Sequence, residues 1–209
     1  MAVVTISRQF GAHGWMLAEN LANRMNYQLV SREVINEMAR EAKVSVDWIE
    51  SVEKEAGGRL MRMVSKLVSS DYIDRHIGET RHDFNEDLYM DFLKELIPRI
   101  ASKDNVVILG RGCQFILPNS SNTIKVFLAA QMEDRITFIE EEWEISREEA
   151  EQIVTSREKR RRAFLKRIDP HVPDDPGLYH LTLNMSHISV EYAEDIIVGL
   201  IERAGKTEK

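Results

Sequence analysis

The chain of 209 residues fits one substantial domain and is long enough to bury a core without disulfides. It carries 28 Lys and Arg against 35 Asp and Glu, a formal net charge of −7, which argues against bulk nucleic-acid binding. Its one cysteine, Cys113, excludes an internal disulfide and is typical of a reducing cytoplasm. No stretch approaches the roughly 18 apolar residues of a membrane span. We therefore expect a cytoplasmic protein with no nucleic-acid or membrane partner.

The first 25 residues predict a strand, a loop with two glycines and a helix. Residues 3–6 are rich in β-branched side chains, Gly11 and Gly14 lie in the loop, and apolar residues follow at helical spacing. A phosphate-binding turn is built in this order, because N–H groups of the loop and the start of the helix both attract an anion. The alternative is an ordinary βα turn, whose glycines only permit a tight bend.

This loop departs from the complete phosphate-loop pattern G-x-x-x-x-G-K-[ST]. If Gly14 is the second glycine of the pattern, Gln9 replaces the first. Trp15 then stands at the lysine position and Met16 at the position of the hydroxyl residue. Backbone N–H groups still bind an anion after these replacements, but the lysine contact to phosphate and the hydroxyl contact to magnesium are lost.

The rest of the chain alternates strands with helices. Predicted strands lie at 27–30, 106–109, 124–130 and 180–184. Predicted helices lie at 34–42 after a cap at Ser31, then at 46–49, 60–68, 85–100, 132–143, 147–167 and 190–201. This alternation predicts an α/β protein with a mainly parallel sheet. Ligands of such sheets bind at the carboxyl ends of the strands, where the glycine-containing turns after Ile6 and Leu109 would lie.

Two groups of cations are candidates for contacting a ligand at this edge. Arg111, between Gly110 and Gly112, would present a guanidinium fork that matches phosphate oxygens, and the alternative is an ion pair with a surface carboxylate. A capping box at Ser146 predicts the start of a further helix. This helix carries seven cations in the eleven positions 157–167. They form either a solvated charged face or a mobile lid that closes on phosphates.

Other reactive residue types give weaker signals. Cys113 is interpreted as a small residue at a strand end rather than as a nucleophile. The six histidines show neither H-x-x-x-H nor H-E-x-x-H spacing, so we expect no metal site built by the protein. No serine lies in the pattern G-x-S-x-G of an esterase.

Five segments of the chain resemble the cytidylate kinase-like family, a branch of the P-loop nucleoside monophosphate kinases. They occur in the family's order: ISRQFGAHG from Ile6, VSREVI from Val30, VILGRG from Val107, RRAFLKR from Arg161 and DPGLYHLTLN from Asp175. The resemblance covers nearly the whole chain. It implies an α/β fold with a P-loop NTPase-type parallel sheet flanked by helices, a helical acceptor-nucleotide insertion and an arginine-rich lid.

The resemblance also implies a domain plan and an activity. The plan is a single domain over 1–204, with a mainly helical acceptor region at 31–100, a lid at 146–176 and a polar tail at 205–209. The activity is transfer of the γ-phosphoryl group of ATP, with Mg²⁺, to a nucleoside monophosphate, CMP or dCMP favoured. A homodimer is compatible with this activity. The alternative is a catalytically degenerate nucleotide-binding or regulatory protein of the same fold.

The family pattern assigns each candidate residue a role. The ATP-binding set is Ser7, Gly11, Ala12, His13, Gly14 and Trp15. The acceptor-binding set is Ser31, Arg32, Arg111 and Arg167. The catalytic set is Arg8, Arg157 and Arg161, and no residue is assigned to a metal. The chain departs from the pattern at Trp15, where the family usually has a basic residue, and at Gly112, where classical cytidylate kinases have an acidic one.

Overall fold

The computed structural model of the chain describes residues 2–31, 34–35, 86–117, 119, 122–170 and 174–204. The predicted helices at 46–49 and 60–68, most of the one at 34–42, and the tail at 205–209 lie outside the described residues. The chain divides into two compact units, one of Val30–Lys103 and one of Met1–Leu29 with Asp104–Lys209. In the part of the chain that the structure describes, no helix has the length and apolar character to cross a bilayer.

The described residues contain one five-stranded sheet. Its strands are β1 (Val3–Arg8), β2 (Gln28–Val30), β3 (Val106–Leu109), β4 (Thr123–Ala129) and β5 (Leu181–Asn184). Their spatial order is β2-β3-β1-β4-β5. The pairs β1–β3, β1–β4 and β4–β5 are all parallel. The predicted α/β class with a parallel sheet is therefore confirmed. The last four strands agree with the prediction to within one residue at either end, while β1 continues two residues beyond the predicted end at Ile6.

Helices α1 (Gly14–Met25) and α6 (Val190–Ala204) pack against this sheet. The three central strands are almost continuous apolar runs, because both of their faces are buried. The helices contribute the apolar stripes that the spacing predicts. The principal members of the shared core are Val4, Ile6, Leu17, Leu21, Val107, Val126, Leu128 and Ile197.

The strand register brings the two glycine-containing turns together. Ile6 of β1 lies opposite Leu109 of β3, and the N–H of Gly110 donates a 2.9 Å hydrogen bond to the carbonyl of Ile6. The loop after β1 and the turn after β3 therefore begin side by side, at the edge of the sheet where ligands of parallel sheets bind.

Helices α4 (Met132–Trp143) and α5 (Arg147–Ile168) pack on each other next to this edge. Their contact buries a small apolar cluster of its own, made of Ile136, Ile139, Ala150 and Val154, with Phe10 and Phe138 partly buried against it. The predicted capping box is confirmed, since the Ser146 hydroxyl accepts a 3.3 Å hydrogen bond from the N–H of Glu149.

Two further α-helices lie among the described residues, and a single 3₁₀ turn covers Pro176–Leu178. Helix α2 (Glu86–Ala101) lies in the smaller unit where the periodicity predicts it, with Phe92, Leu93, Leu96 and Ile97 buried. The short helix α3 (Cys113–Ile116) is not predicted, since four residues are too few to show a 3.6-residue period. Cys113 is buried there, and burial raises its pKa to about 12, as fits an inert thiol rather than a nucleophile.

A buried lysine on β4 stabilises the end of α3. Lys125 is 3% exposed, and its Nζ donates to the carbonyls of Gln114 at 3.1 Å and Leu117 at 2.8 Å. A third hydrogen bond, of 2.9 Å, reaches Oδ1 of Asn119. The last carbonyls of a helix have no partner within the helix, so the ammonium group takes the place of a cap. Burial lowers the pKa of Lys125.

We expect Lys125→Met to destabilise the protein by about 1–3 kcal/mol, because buried carbonyl acceptors lose a charged donor. The free energy of unfolding in urea measures this loss. Lys103→Met is the matched control, since Lys103 is exposed in a turn and its replacement should change stability by less than about 0.5 kcal/mol. Equal stabilities of the two variants would contradict the capping role.

Candidate functional site

The loop from Gln9 to His13 leaves β1 and turns directly into helix α1. The N–H of Gln9 donates to the carbonyl of Leu128 at 2.9 Å, and Oε1 of Gln9 accepts from the N–H of Ala130 at 3.0 Å. These bonds tie the loop to the end of β4. Gly11 has φ 86° and His13 has φ 55°, both left-handed, so the backbone reverses within five residues.

Helix α1 begins without a side-chain cap. His13 is its N-cap residue and makes no capping hydrogen bond, and the first intrahelical bond runs from the N–H of Leu17 to the carbonyl of His13. The four N–H groups from His13 to Met16 therefore have no partner within the helix. Such an uncapped start, after a glycine loop, is the usual setting for an anion.

The aromatic residue at the lysine position does not fill this loop. The Trp15 residue is 51% exposed, and the neighbouring Met16 is 39% exposed. His13 instead packs on the ring of Phe138, with ring centroids 4.0 Å apart. Burial lowers the pKa of His13, although the charge of Glu142 acts in the opposite direction.

Arg8 connects the loop to the turn after β3. A Cβ added to Gly14 would lie 2.6 Å from Cγ of Arg8, and one added to Gly110 would collide with Nη1 of Arg8. The side chain of Arg8 thus passes along Gly14 and ends against Gly110. The absence of side chains at these two glycines is what allows the guanidinium group to lie between the loop and the turn.

The turn after β3 consists of three consecutive left-handed residues, Gly110 (φ 79°), Arg111 (φ 60°) and Gly112 (φ 69°). The conformation is strained only at Arg111, where it costs on the order of 1 kcal/mol. Arg111 is 8% exposed, and its guanidinium carbon lies 5.6 Å from the ring centroid of Phe164 in α5. A Cβ at Gly112 would collide with Cδ1 of Ile168.

Helix α5 therefore contacts both turns. Phe164 and Ile168, near its end, lie on the turn after β3. One half-buried cation nearer its middle, Arg157, lies with its guanidinium carbon 6.0 Å from the ring centroid of Phe10 in the loop. Five other cations of the predicted lid are exposed, which favours the interpretation of a solvated charged face for them. They are Lys159, Arg160, Arg162, Lys166 and Arg167.

A buried carboxylate holds the inner arginines of α5. Glu158 is 9% exposed and accepts hydrogen bonds from Nη2 of Arg161 at 2.7 Å and Nε of Arg162 at 3.1 Å. It also accepts a 3.2 Å bond from the N–H of Phe10 and lies 3.8 Å from Nη1 of Arg135. Burial acts to raise the pKa of Glu158, but hydrogen bonds and the charge of Arg161 outweigh it, and the pKa lies below its usual value.

Beneath the loop lies a cluster of buried polar side chains. The Ser7 hydroxyl donates to Oε1 of Gln114 at 2.9 Å, and the hydroxyl of Tyr179 also hydrogen-bonds Ser7. Burial raises the pKa of Tyr179 to about 12, and its ring stacks on Phe127 at 5.0 Å. The predicted ATP contact of Ser7 would thus come from a hydroxyl that already has two protein partners.

Most of the predicted site residues lie in the larger unit. They are Ser7, Arg8, the loop from Gly11 to Trp15, Arg111, Arg157, Arg161 and Arg167. Ser31 is buried in the smaller unit, and Arg32 lies outside the described residues. Sequence reasoning does not single out Phe10, Arg135, Glu158 or Asp174. The i, i+3 and i, i+4 spacing from Glu158 to Arg161 and Arg162 is the one signal that was present.

A parallel sheet with a glycine loop leading into an uncapped helix is the architecture of the P-loop kinase class. The family model described as the cytidylate kinase-like family matches residues 3–187. The chain therefore belongs to the cytidylate kinase-like family.

Solved structures agree with this fold. An uncharacterized protein from Eubacterium ventriosum is 17% identical, with a TM-score of 0.66 over 97% of this chain and 99% of that one. A shikimate kinase from Acinetobacter baumannii in complex with shikimate is 13% identical (TM-score 0.49, 97% and 94% covered). A gluconokinase from Sinorhizobium meliloti is 10% identical (TM-score 0.49, 99% and 95% covered). The first similarity shows the fold alone. No curated protein matches the sequence.

We expect His13 to make the stability of the protein depend on pH. The folded pKa of His13 lies below the ordinary value of 6.5, so the unfolded chain binds the proton more readily. His13 therefore stabilises the folded state at pH values above its ordinary pKa. This contribution is lost as the pH falls through the folded pKa. His13→Asn removes this titration and tolerates the left-handed backbone.

The melting temperature measured by calorimetry on both sides of that pH should change less in His13→Asn than in the wild type. His187→Asn, which alters an exposed histidine, is the matched control and should keep the wild-type dependence. The same slope in His13→Asn and the wild type would contradict this assignment.

Proposed function

We propose that this protein is a nucleoside monophosphate kinase that transfers the γ-phosphoryl group of ATP to an acceptor, CMP or dCMP favoured. The observation that carries the proposal is the uncapped start of α1 behind a glycine loop, with arginines beside it. Membership of the cytidylate kinase-like family supports the reaction class. The choice of cytidine nucleotides rests on the family resemblance.

The triphosphate would lie on the loop from Gly11 to Trp15. The N–H groups from His13 to Met16 point along the start of the helix, where the helix dipole adds partial positive charge. Two cations lie next to the loop, Arg8 along Gly14 and Arg157 on Phe10. Either arginine can supply the charge that a lysine at position 15 gives in a complete phosphate loop. Within the described part of the chain, Arg157 makes no hydrogen bond or ion pair to a carboxylate.

The acceptor would be gripped on the side of the turn after β3. Arg111 is our proposed contact for the acceptor phosphate, because its strained, nearly buried guanidinium group follows a strand end at the ligand edge. Ser31 and Arg32 are the proposed contacts from the acceptor region at 31–100. Arg167 is a further candidate, on the exposed side of the last turn of α5.

The described residues do not fit a magnesium ion held by the protein. Met16 stands at the hydroxyl position, and Glu158, which accepts from the loop, and Asp174 are both paired with arginines. No group of three or more His, Cys, Asp or Glu side chains in the described ranges is placed to hold a metal. Mg²⁺ would thus arrive with ATP, coordinated by phosphate oxygens and water.

For phosphoryl transfer, the protein has to position the two reactants and stabilise the negative charge of the transition state. A transferring phosphoryl group spreads negative charge over its equatorial oxygens, with the attacking and leaving oxygens roughly in line. Loop N–H groups would fix the donor, Arg111 would fix the acceptor, and Arg8 and Arg157 would stabilise the charge between them. Helix α5, which lies on both turns, would exclude water from this space.

The second candidate is a nucleotide-binding protein of the same fold that binds its ligand without catalysing phosphoryl transfer. Trp15 and Met16 favour it, because they remove two contacts on which a phosphate loop normally depends. Coupled ADP-release assays with ATP and a panel of nucleoside monophosphates, run beside calorimetric binding, separate the two. Nucleotide binding with no ADP released for any acceptor would overturn the kinase proposal and support the second candidate.

Within the kinase proposal, Arg157→Ala should lower kcat/KM by about 10²–10³-fold, the usual cost of removing one preorganised donor from a transition state. Arg160→Ala is the control, because Arg160 is an exposed arginine on the same helix, and its loss should change kcat/KM by less than about threefold. Equal losses in the two variants would show that Arg157 acts only through the overall charge of the helix.

Trp15→Lys should leave the fold intact and tighten ATP binding, because it restores a cation at the lysine position of the loop. The dissociation constant for ATP measured by calorimetry tests this change. Asn23→Lys adds the same charge at the far, exposed end of α1 and should have no such effect. If ATP binds Trp15→Lys no more tightly than Asn23→Lys, residue 15 does not face phosphate.

A further inference from the structure

One arginine on the inner side of α5 is held by two carboxylates at once. Nε and Nη2 of Arg161 bond Glu158, with distances of 3.1 and 2.7 Å to the nearest oxygens. Nη1 and Nη2 bond the two oxygens of Asp174 at 2.8 and 2.6 Å. Both bidentate faces of the guanidinium group are thus occupied, and both hydrogens of Nη2 are used. Arg161 can grip a phosphoryl group through two bonds only if one carboxylate leaves.

Glu158 is anchored on every side. Besides Arg161 it accepts hydrogen bonds from Arg162 and from the backbone N–H of Phe10 in the loop, and it lies 3.8 Å from Arg135. Its side chain is 11% exposed. Withdrawing it would leave three arginines close together and a loop N–H without its acceptor, and an unsatisfied buried group is costly. Glu158 is therefore the carboxylate that stays.

Among the described residues, Asp174 is held by fewer contacts than Glu158. Its hydrogen bonds within the described ranges are to Arg161, and Arg162 reaches it only at 4.0 Å. Its side chain is 21% exposed, about twice as much as that of Glu158. Water can thus replace its partners at smaller cost. The fork–fork geometry that Asp174 makes with Nη1 and Nη2 is also the geometry in which a guanidinium group binds phosphate oxygens.

We propose that the two carboxylates have opposite roles: Glu158 is a positioning residue that fixes Arg161 beside the loop, while Asp174 occupies the phosphate-binding fork of Arg161 and leaves it when a phosphorylated ligand binds. The ligand class is a phosphate monoester or a polyphosphate ester, and the inference rests on the proposed function only in taking that ligand to be a nucleotide. Asp174 is then an internal competitor, which lowers the apparent affinity for phosphate until it is displaced.

The proposal and a simple charge effect predict opposite changes in anion affinity when Glu158 is neutralised. Neutralising either carboxylate removes one negative charge from the surroundings of the same arginine, and electrostatics alone would make both variants bind an anion more tightly. Under the proposal only neutralisation of Asp174 does so. Neutralisation of Glu158 weakens binding, because Arg161, Arg162 and Arg135 then lose the anion that holds them together beside the loop.

The first experiment compares Asp174→Asn with Asp175→Asn by calorimetric titration with ATP and with inorganic phosphate. Asp175 is the matched control, because its carboxylate accepts from the N–H of Gly177 at 2.8 Å, a role that asparagine can also fill. We expect Asp174→Asn to bind both ligands about tenfold more tightly than the wild type, the loss of one charge-assisted competitor. Asp175→Asn should bind as the wild type does. Equal affinities in the two variants would overturn the proposal.

The second experiment tests Glu158→Gln, which keeps the shape and an acceptor for the N–H of Phe10. It should weaken ATP binding by at least threefold, and Glu158→Asp, which keeps the charge, should recover part of the loss. Glu151→Gln, an exposed change on the same helix, should have no effect. Tighter binding by Glu158→Gln would overturn the positioning role. If Glu158→Gln does not fold, Glu158→Asp is compared with Glu151→Gln, and a wild-type affinity in Glu158→Asp would then overturn the positioning role.

The readouts separate this inference from the proposed kinase activity. Tighter phosphate binding by Asp174→Asn without any ADP release would support the competitor role of Asp174 while the kinase activity fails. Turnover by the wild type, with Asp174→Asn and Asp175→Asn indistinguishable in binding, would support the kinase activity and overturn the competitor role.

Discussion

Charge compensation at Glu158 is the constraint on which the arrangement of the site depends. Helix α5 places seven cations in eleven positions, and among them Arg161 is mostly buried while Arg162 is exposed. A carboxylate with little exposure holds both arginines and also takes the N–H of Phe10 from the loop. Loop and helix are thereby joined through one side chain, and the position of the helix over the sheet edge follows from this contact.

The missing lysine of the phosphate loop becomes easier to understand beside this arrangement. In a complete loop a single cation rises from the helix start to reach the phosphates. Here the helix start contributes only backbone N–H groups, and the cations approach from other elements: Arg8 from β1, and Arg157 from α5. Because cations from β1 and from a packed helix surround the loop, the charge it lacks can be replaced by folding rather than by the local sequence.

The sequence predicted much of the fold because its signals are local. The continuous apolar runs at Val106–Leu109 and Thr123–Ala129 can only be doubly buried strands, and the capping box at Ser146 marks the start of a helix. Parallel topology alone predicted that both glycine turns lie at the same edge of the sheet, but the adjacency of β1 and β3 that places them side by side was not predictable from periodicity. What remained unpredictable depends on tertiary contacts. The hydrogen bond from the N–H of Phe10 to Glu158, for example, joins residues that are 148 positions apart in the sequence. No periodicity encodes such pairs.

The aromatic contacts of Phe10 give the loop a built-in optical probe. The ring of Trp143, at the end of α4, meets Phe10 edge-on with centroids 6.2 Å apart, and the guanidinium group of Arg157 lies near another side of the same ring. The emission of an indole that lies this close to a loop residue depends on the position of that residue. Any rearrangement of the loop on ligand entry would therefore change the emission of Trp143, without a label and without a chemical step.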